Sequence, residues 1–186
     1  VCNAYETDRF LRAYSDDGTA LGSNESKTCK IDILTQSWSV IASVSSKSVQ
    51  NTALQSVADL IDAEAKIIKL LWPAQSKETY YGYISSYPKG VRENGGQYTH
   101  ASTWYVKAVA MNDAEIDVGG KKYTAHDLLD MLNPIAKNST QKSAAFYKGE
   151  PYVLAGDVYS SQDNYGRMGW SWYSGSASIL YDTIIR

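Results

Sequence analysis

The stretch Tyr87-Pro88-Lys89-Gly90-Val91-Arg92-Glu93-Asn94-Gly95-Gly96-Gln97-Tyr98-Thr99-His100 gathers a guanidinium, a carboxylate, an amide and an imidazole around a Gly-Gly hinge. Gln97 and His100 are three apart, so a helix beginning at the hinge would set both on one face of its first turn. Unpaired N–H groups and the helix dipole favour an anion there, and the arrangement suits a phosphate. The plain structural alternative is an Arg92–Glu93 pair and a histidine that only ends a helix. A second cluster, Gly166-Arg167-Met168-Gly169-Trp170-Ser171-Trp172-Tyr173-Ser174-Gly175-Ser176, opens another helix. Ser-Gly-Ser at a helix start offers hydroxyls and N–H groups to a phosphate oxygen, and glycine lets a ligand come close to the chain. Trp170 and Trp172 beside it form a wall on which a pyranose ring can stack. An N-cap serine next to a packed aromatic run explains either feature, but not their adjacency.

The elements that must position these clusters read mostly as helices. Ile31, Leu34, Trp38 and Ile41 recur at three- and four-residue steps between Lys30 and Val44, and a second amphipathic helix is expected from Val49 to Ile61. A third should begin near Gly96 or Gln97 and run to Met111, burying Ala101, Trp104, Ala108 and Met111. Thr124 followed by Asp127 reads as a capping box for a helix from Ala125 to Leu132, stopped by Pro134. A short helix around Ser139 to Phe146 and a last one from Ser176 onward complete the set. Between them lie long aromatic loops, Tyr80 to Gly96 and Gly149 to Tyr173, of the kind that carry function. Asp16-Asp17-Gly18 reads as a turn, and His126, in the first turn of its helix, as structural or exposed.

Composition narrows the partners. Against 20 Asp+Glu stand 18 Lys+Arg, a formal charge of −2, so no basic stripe offers itself to nucleic acid or an anionic membrane. The 186 residues are one domain's worth of chain, with no linker that divides them. Fifteen Tyr and five Trp beside two Phe suit a polar, ring-lined cleft, although half-buried Tyr alone would give the same count. Cys2 and Cys29 are too few for a disulfide framework and read as thiols of a reducing compartment, so the expected location is cytoplasmic. His100 and His126 do not make a metal site, and no P-loop, dinucleotide fingerprint or nucleophile elbow occurs. The start resembles no signal peptide, no window approaches a membrane span, and both ends read as cuts in a longer chain.

The two clusters, in this order and separation, resemble the inverting glycoside phosphorylases of the cellobiose and chitobiose phosphorylase family. The likeness is closer to the phosphorylase-like domain that ends the cyclic β-1,2-glucan synthases. It spans FLRAYSDDGTALGS, CKIDILTQSWSVIA, YPKGVRENGGQYTHA, LNPI, YKGEPYVLAGDVYS and GRMGWSWYSGSAS, nearly the whole chain. The subgroup rests on IDILTQSW and RENGGQYTH.

The resemblance implies an all-α chain forming the C-terminal part, about half, of an (α/α)6 toroid with long aromatic loops. Residues 1–186 would be one partial catalytic domain. It implies inorganic phosphate as a substrate, not a cofactor, attacking the anomeric carbon of a β-glucan to give α-glucose 1-phosphate. His100 matches the histidine that contacts phosphate, and Ser174-Gly175 match a Thr-Gly pair on the same phosphate. Arg92 and Glu93 match acceptor-side sugar positions, while Gln97, Trp170 and Trp172 join the sugar site by proximity. The family's general acid lies in an Asp-Trp-Asn motif that this chain lacks, so no catalytic residue is assigned and the chain alone is expected to be silent. Expected partners are a β-glucan or gluco-oligosaccharide, phosphate, the rest of a parent polypeptide whose inner-membrane anchoring stays open, and a second copy through exposed helix faces. Two alternatives stand beside this: a helical-toroid hydrolase using water, and a non-catalytic carbohydrate-binding domain.

Overall fold

The computed structural model describes residues 4–76, 82–172 and 174–185, the side chain of Ser174 excepted. Side-chain oxygens set most helix starts. The Asp32 carboxylate accepts the Leu34 N–H at 2.7 Å and opens α1 (Ile33–Ile41), and Ser46 opens α2 (Lys47–Gln55). The next helix, α3 (Thr99–Asn112), is the exception, because Tyr98 before it supplies no side-chain cap. Thr124 and Asp127 cap one another's backbone at α4 (Ala125–Leu132), as the spacing predicts. Asn133 caps α5 (Pro134–Lys137), with Pro134 at the first position where a missing N–H costs nothing. Thr140 opens α6 (Gln141–Tyr147), and α7 (Ser174–Ile185) closes the set.

The helices pack in alternating directions. The Gln50 amide of α2 reaches back to the Ser39 carbonyl of α1 at 3.2 Å across a tight hairpin. Tyr105 donates to the Leu54 carbonyl at 2.8 Å, and Asn112 donates to Asn51 Oδ1 at 2.8 Å, so α2 and α3 run antiparallel. By contrast α3 and α7 are parallel: His100 lies against Gly175, and seven residues further along both helices Lys107 pairs with Asp182. The core lies between these helices, around Ile33, Leu54, Leu60, Ile68, Tyr105 and Leu128.

The helix-rich part of the expected all-α class is present, and six short antiparallel ladders among the described residues join it. They pair β1 (Tyr5–Glu6) with β2 (Arg9–Phe10), and β3 (Ala13–Tyr14) with β4 (Ala20–Leu21) across the Asp17-Gly18 turn. Further ladders join β5 (Ile31–Asp32) to β8 (Leu71–Trp72) and β6 (Ile61–Asp62) to β7 (Ile67–Ile68). The last two join β9 (Gln97–Tyr98) to β12 (Asp157–Val158) and β10 (Ile116–Val118) to β11 (Lys121–Tyr123). Strands of two or three residues carry no alternation long enough to show in a sequence.

The helix expectations need three corrections. Leu34 and Ile41 pack against the core as expected, but α1 buries Ile33, Gln36, Ser37, Ser39 and Val40 most deeply, and Trp38 is 43% exposed. Polar side chains can take those positions because each is satisfied: Gln36 accepts from Phe10 N–H at 2.8 Å, and Ser37 donates to the Ile33 carbonyl at 2.7 Å. The expected helix Val49 to Ile61 ends at Gln55, tightens to a 3-10 turn over Ser56–Leu60 and continues as a strand. Met111, expected inside, lies exposed at the end of α3.

Candidate phosphate and saccharide site

The ladder of β9 and β12 builds the site. Tyr98 pairs with Asp157 and Gln97 with Val158, which makes the hinge strand-like and delays α3 to Thr99. The Thr99 N–H goes to the Gly156 carbonyl at 3.1 Å, and His100 follows in the first turn. Its ring lies 4.5 Å from that of Trp104, which meets Trp38 edge-on at 5.2 Å. On the other side stands the start of α7. A Cβ built on Gly175 would come within 3.1 Å of both Cε1 and Nδ1 of His100, so the glycine is what lets the two helix starts close. Burial holds the His100 imidazole below the usual histidine value. The parallel course of α3 and α7 brings two positive dipole ends to one place, beside a ring that can donate a hydrogen bond. Ser174 opens α7, but its side chain lies outside the described residues.

The turn from Tyr87 to Gly96 carries the other end. Asn94 is fully buried; its amide donates to the Tyr87 and Gln75 carbonyls at 2.8 and 3.1 Å, and its oxygen accepts the Gln75 N–H at 2.7 Å. Gly90 sits at φ +82 against the Ser161 backbone, where a Cβ would collide. Arg92 takes the left-handed region at φ +48, a conformation that costs a non-glycine residue about 1–3 kcal/mol and that gathers at functional sites. Its guanidinium lies 4.4 Å from the centre of the Trp170 ring and 5.6 Å from that of Tyr87. Glu93 Oε1 accepts from the Tyr83 hydroxyl at 3.1 Å, while its buried Oε2 has no hydrogen-bond partner among the described residues. Trp170 is 56% exposed.

The structure thus brings His100 and Gly175 together at one point and Arg92, Glu93 and Trp170 around another. Gln97 is not brought to either. It is 1% exposed, and its amide is used inside the fold, accepting the Ile68 N–H at 3.0 Å and donating to Thr99 Oγ1 at 3.1 Å. Trp172, 70% exposed, stands 6.1 Å from the Tyr152 ring in an apolar groove of about 490 Å³ with Leu154, Leu180 and Tyr181. Two residues of the site carry no signal in the sequence. Trp104 reads as core from its helical spacing, and Asp157 is an isolated acid in an apolar run, yet its carboxylate lies beside Arg92 and Glu93. Among the described residues no three His, Cys, Asp or Glu side chains gather as a metal site.

The cyclic beta-(1,2)-glucan synthase NdvB of Rhizobium meliloti is 42% identical over 95% of the chain, which spans 6% of that protein. Solabiose phosphorylase of Paenibacillus borealis is 23% identical over 98% of the chain, and N,N'-diacetylchitobiose phosphorylase of Vibrio furnissii 20% over 92%. The chain spans about a fifth of each phosphorylase, 22% and 20% of their lengths. The model of the glycosyl hydrolase 94 superfamily catalytic domain matches residues 2–186, and the chain belongs to that family.

Proposed function

We propose that residues 1–186 form the phosphate-holding part of a glycoside phosphorylase domain acting on a β-linked glucan, of the kind that accompanies cyclic β-1,2-glucan synthesis. The observation that carries this reading is the meeting of two parallel helix starts at His100 and Gly175, with no capping side chain at α3. An anion there faces the starts of two helices, where the dipoles favour negative charge, and an imidazole donor. An oxygen of inorganic phosphate would form the new bond to the anomeric carbon as the glycosidic bond breaks on the opposite face. A general acid outside these residues would protonate the departing sugar oxygen, leaving α-glucose 1-phosphate and a shortened glucan. Arg92, Glu93 and Trp170 would receive the departing sugar. The alternating directions of α1, α2 and α3, with α7 parallel to α3, suit the inner and outer helices of an (α/α)6 toroid.

The test uses the full-length protein that carries this segment, incubated with β-1,2-, β-1,3- and β-1,4-linked gluco-oligosaccharides with and without phosphate. Phosphate-dependent α-glucose 1-phosphate from one linkage is expected. His100→Ala should raise the phosphate KM by about tenfold or more, the loss of one charge-assisted contact. Reducing sugar released equally without phosphate would replace the reading with a hydrolase, and no product from any linkage with a binding domain.

A further inference from the structure

Asp157 is a buried carboxyl that joins the two ends of the site, and nothing in the family resemblance assigns it a role. Its backbone pairs with Tyr98, two residues before His100, while its side chain turns toward the sugar end. Oδ1 accepts the Trp170 N–H at 3.0 Å, and the Asp157 carbonyl accepts the Gly169 N–H at 2.9 Å. Gly169 is held so close that any Cβ there would collide with the carboxylate. Oδ2 is buried without a hydrogen bond of good geometry among the described residues; burial pushes the carboxyl up, against the pull of the Trp170 N–H and of the Arg92 charge and backbone, while Glu93 nearby adds to the push. Arg92 therefore has the Asp157 carboxyl as a neighbour and the Trp170 ring centre at 4.4 Å. Both members of the Arg92–Trp170 pair meet the same carboxyl, Trp170 through its main chain and Arg92 through its charge and its main chain.

We infer that Asp157 is the positioning residue of the saccharide end: it locks the Arg92–Trp170 pair into the flat surface that meets the departing glucosyl unit. The inference rests on the function proposed above. Arg92 stands in a left-handed backbone conformation that non-glycine residues seldom adopt, and its place in the turn sets the guanidinium beside Trp170. The Asp157 carboxyl favours the guanidinium there, while Trp170 stays 56% exposed for a sugar ring.

Two substitutions in the full-length protein test this with the oligosaccharide that gives product. Asp157→Asn keeps the size and the Oδ1 acceptor but removes the charge. Gly169→Ala keeps the charge and displaces the carboxylate. Each should raise the saccharide KM by about tenfold while the phosphate KM stays within about twofold and Tm changes little. Unchanged saccharide KM in either folded variant would overturn the inference, as would a parallel rise in both KM values with a fall in Tm, which marks a merely structural acid. Should the wild type give no phosphate-dependent product, the function proposed above fails by itself. Calorimetric titration with the same oligosaccharide then decides the inference: weaker binding in both variants upholds it, and equal binding overturns it.

Discussion

At the scale of single residues, His100 has lost part of the water that an ionised imidazole needs, and this burial holds it below the usual histidine value. The free protein should therefore hold the ring neutral at pH 7, ready to donate to phosphate from whichever nitrogen bears the proton. The sign for stability follows. Between the unfolded value near 6.5 and the lower folded value the unfolded chain binds the extra proton, so stability falls as pH drops through that window and then levels off. A bound phosphate reverses the preference, because an anion favours the imidazolium. We expect an NMR titration of His100 with a midpoint below 6.5 that moves upward on saturating inorganic phosphate. A midpoint indifferent to phosphate would remove His100 from the site.

At the scale of elements, the helix starts depend on a few oxygens, and Asp32 serves twice. One oxygen caps α1 through Leu34 N–H, and the other pairs with Arg12, tying the hairpin of β3 and β4 to the helix. The carboxyl is wholly buried; burial pushes it up, against the pull of Arg12 and of the Leu34 N–H. Asp32→Asn retains a cap acceptor yet leaves Arg12 without its counter-charge. Breaking a buried pair on one side costs about 3–5 kcal/mol, and the partial exposure of Arg12 places this case near the lower end. Urea unfolding should show a loss of about 3 kcal/mol at unchanged m-value. A loss under about 1 kcal/mol would mean that the cap alone matters.

At the scale of the molecule, large apolar side chains face outward on α7 and around it. Tyr181, Ile184 and Ile185 are exposed, and the groove beside them is lined by Pro134, Tyr152 and Trp172. Contiguous apolar surface of this kind marks contact with other protein. On the proposed reading the remainder of the catalytic domain covers it. Residues 1–186 produced alone should then self-associate, and the double variant Tyr181→Lys, Ile184→Lys should sediment as the 20.5 kDa monomer. A wild-type segment that stays monomeric at micromolar concentration would show that the surface needs no cover.

The sequence by itself determined the pieces with local causes. The capping box of α4 follows from Thr124 and Asp127, three residues apart, and the turn before β4 follows from Asp17-Gly18. The two polar clusters and their order also carried the family, because long collinear blocks persist where single contacts do not. Only the tertiary structure decided which of those residues meet. That His100 touches Gly175 depends on α3 and α7 lying parallel, a relation between helices that no local period encodes. Gln97 passes for a site residue at helical spacing from His100, but pairing with β12 makes it strand and turns its amide into the core. Asp157 is the converse case. Nothing around it in the sequence separates it from other acids, and its role arises only where Arg92, Trp170 and Gly169 close around one carboxylate. Local hydrogen bonds and hydrophobic periods act within a few residues and can be read in order, whereas charge, burial and close approach act between segments that the fold alone brings together.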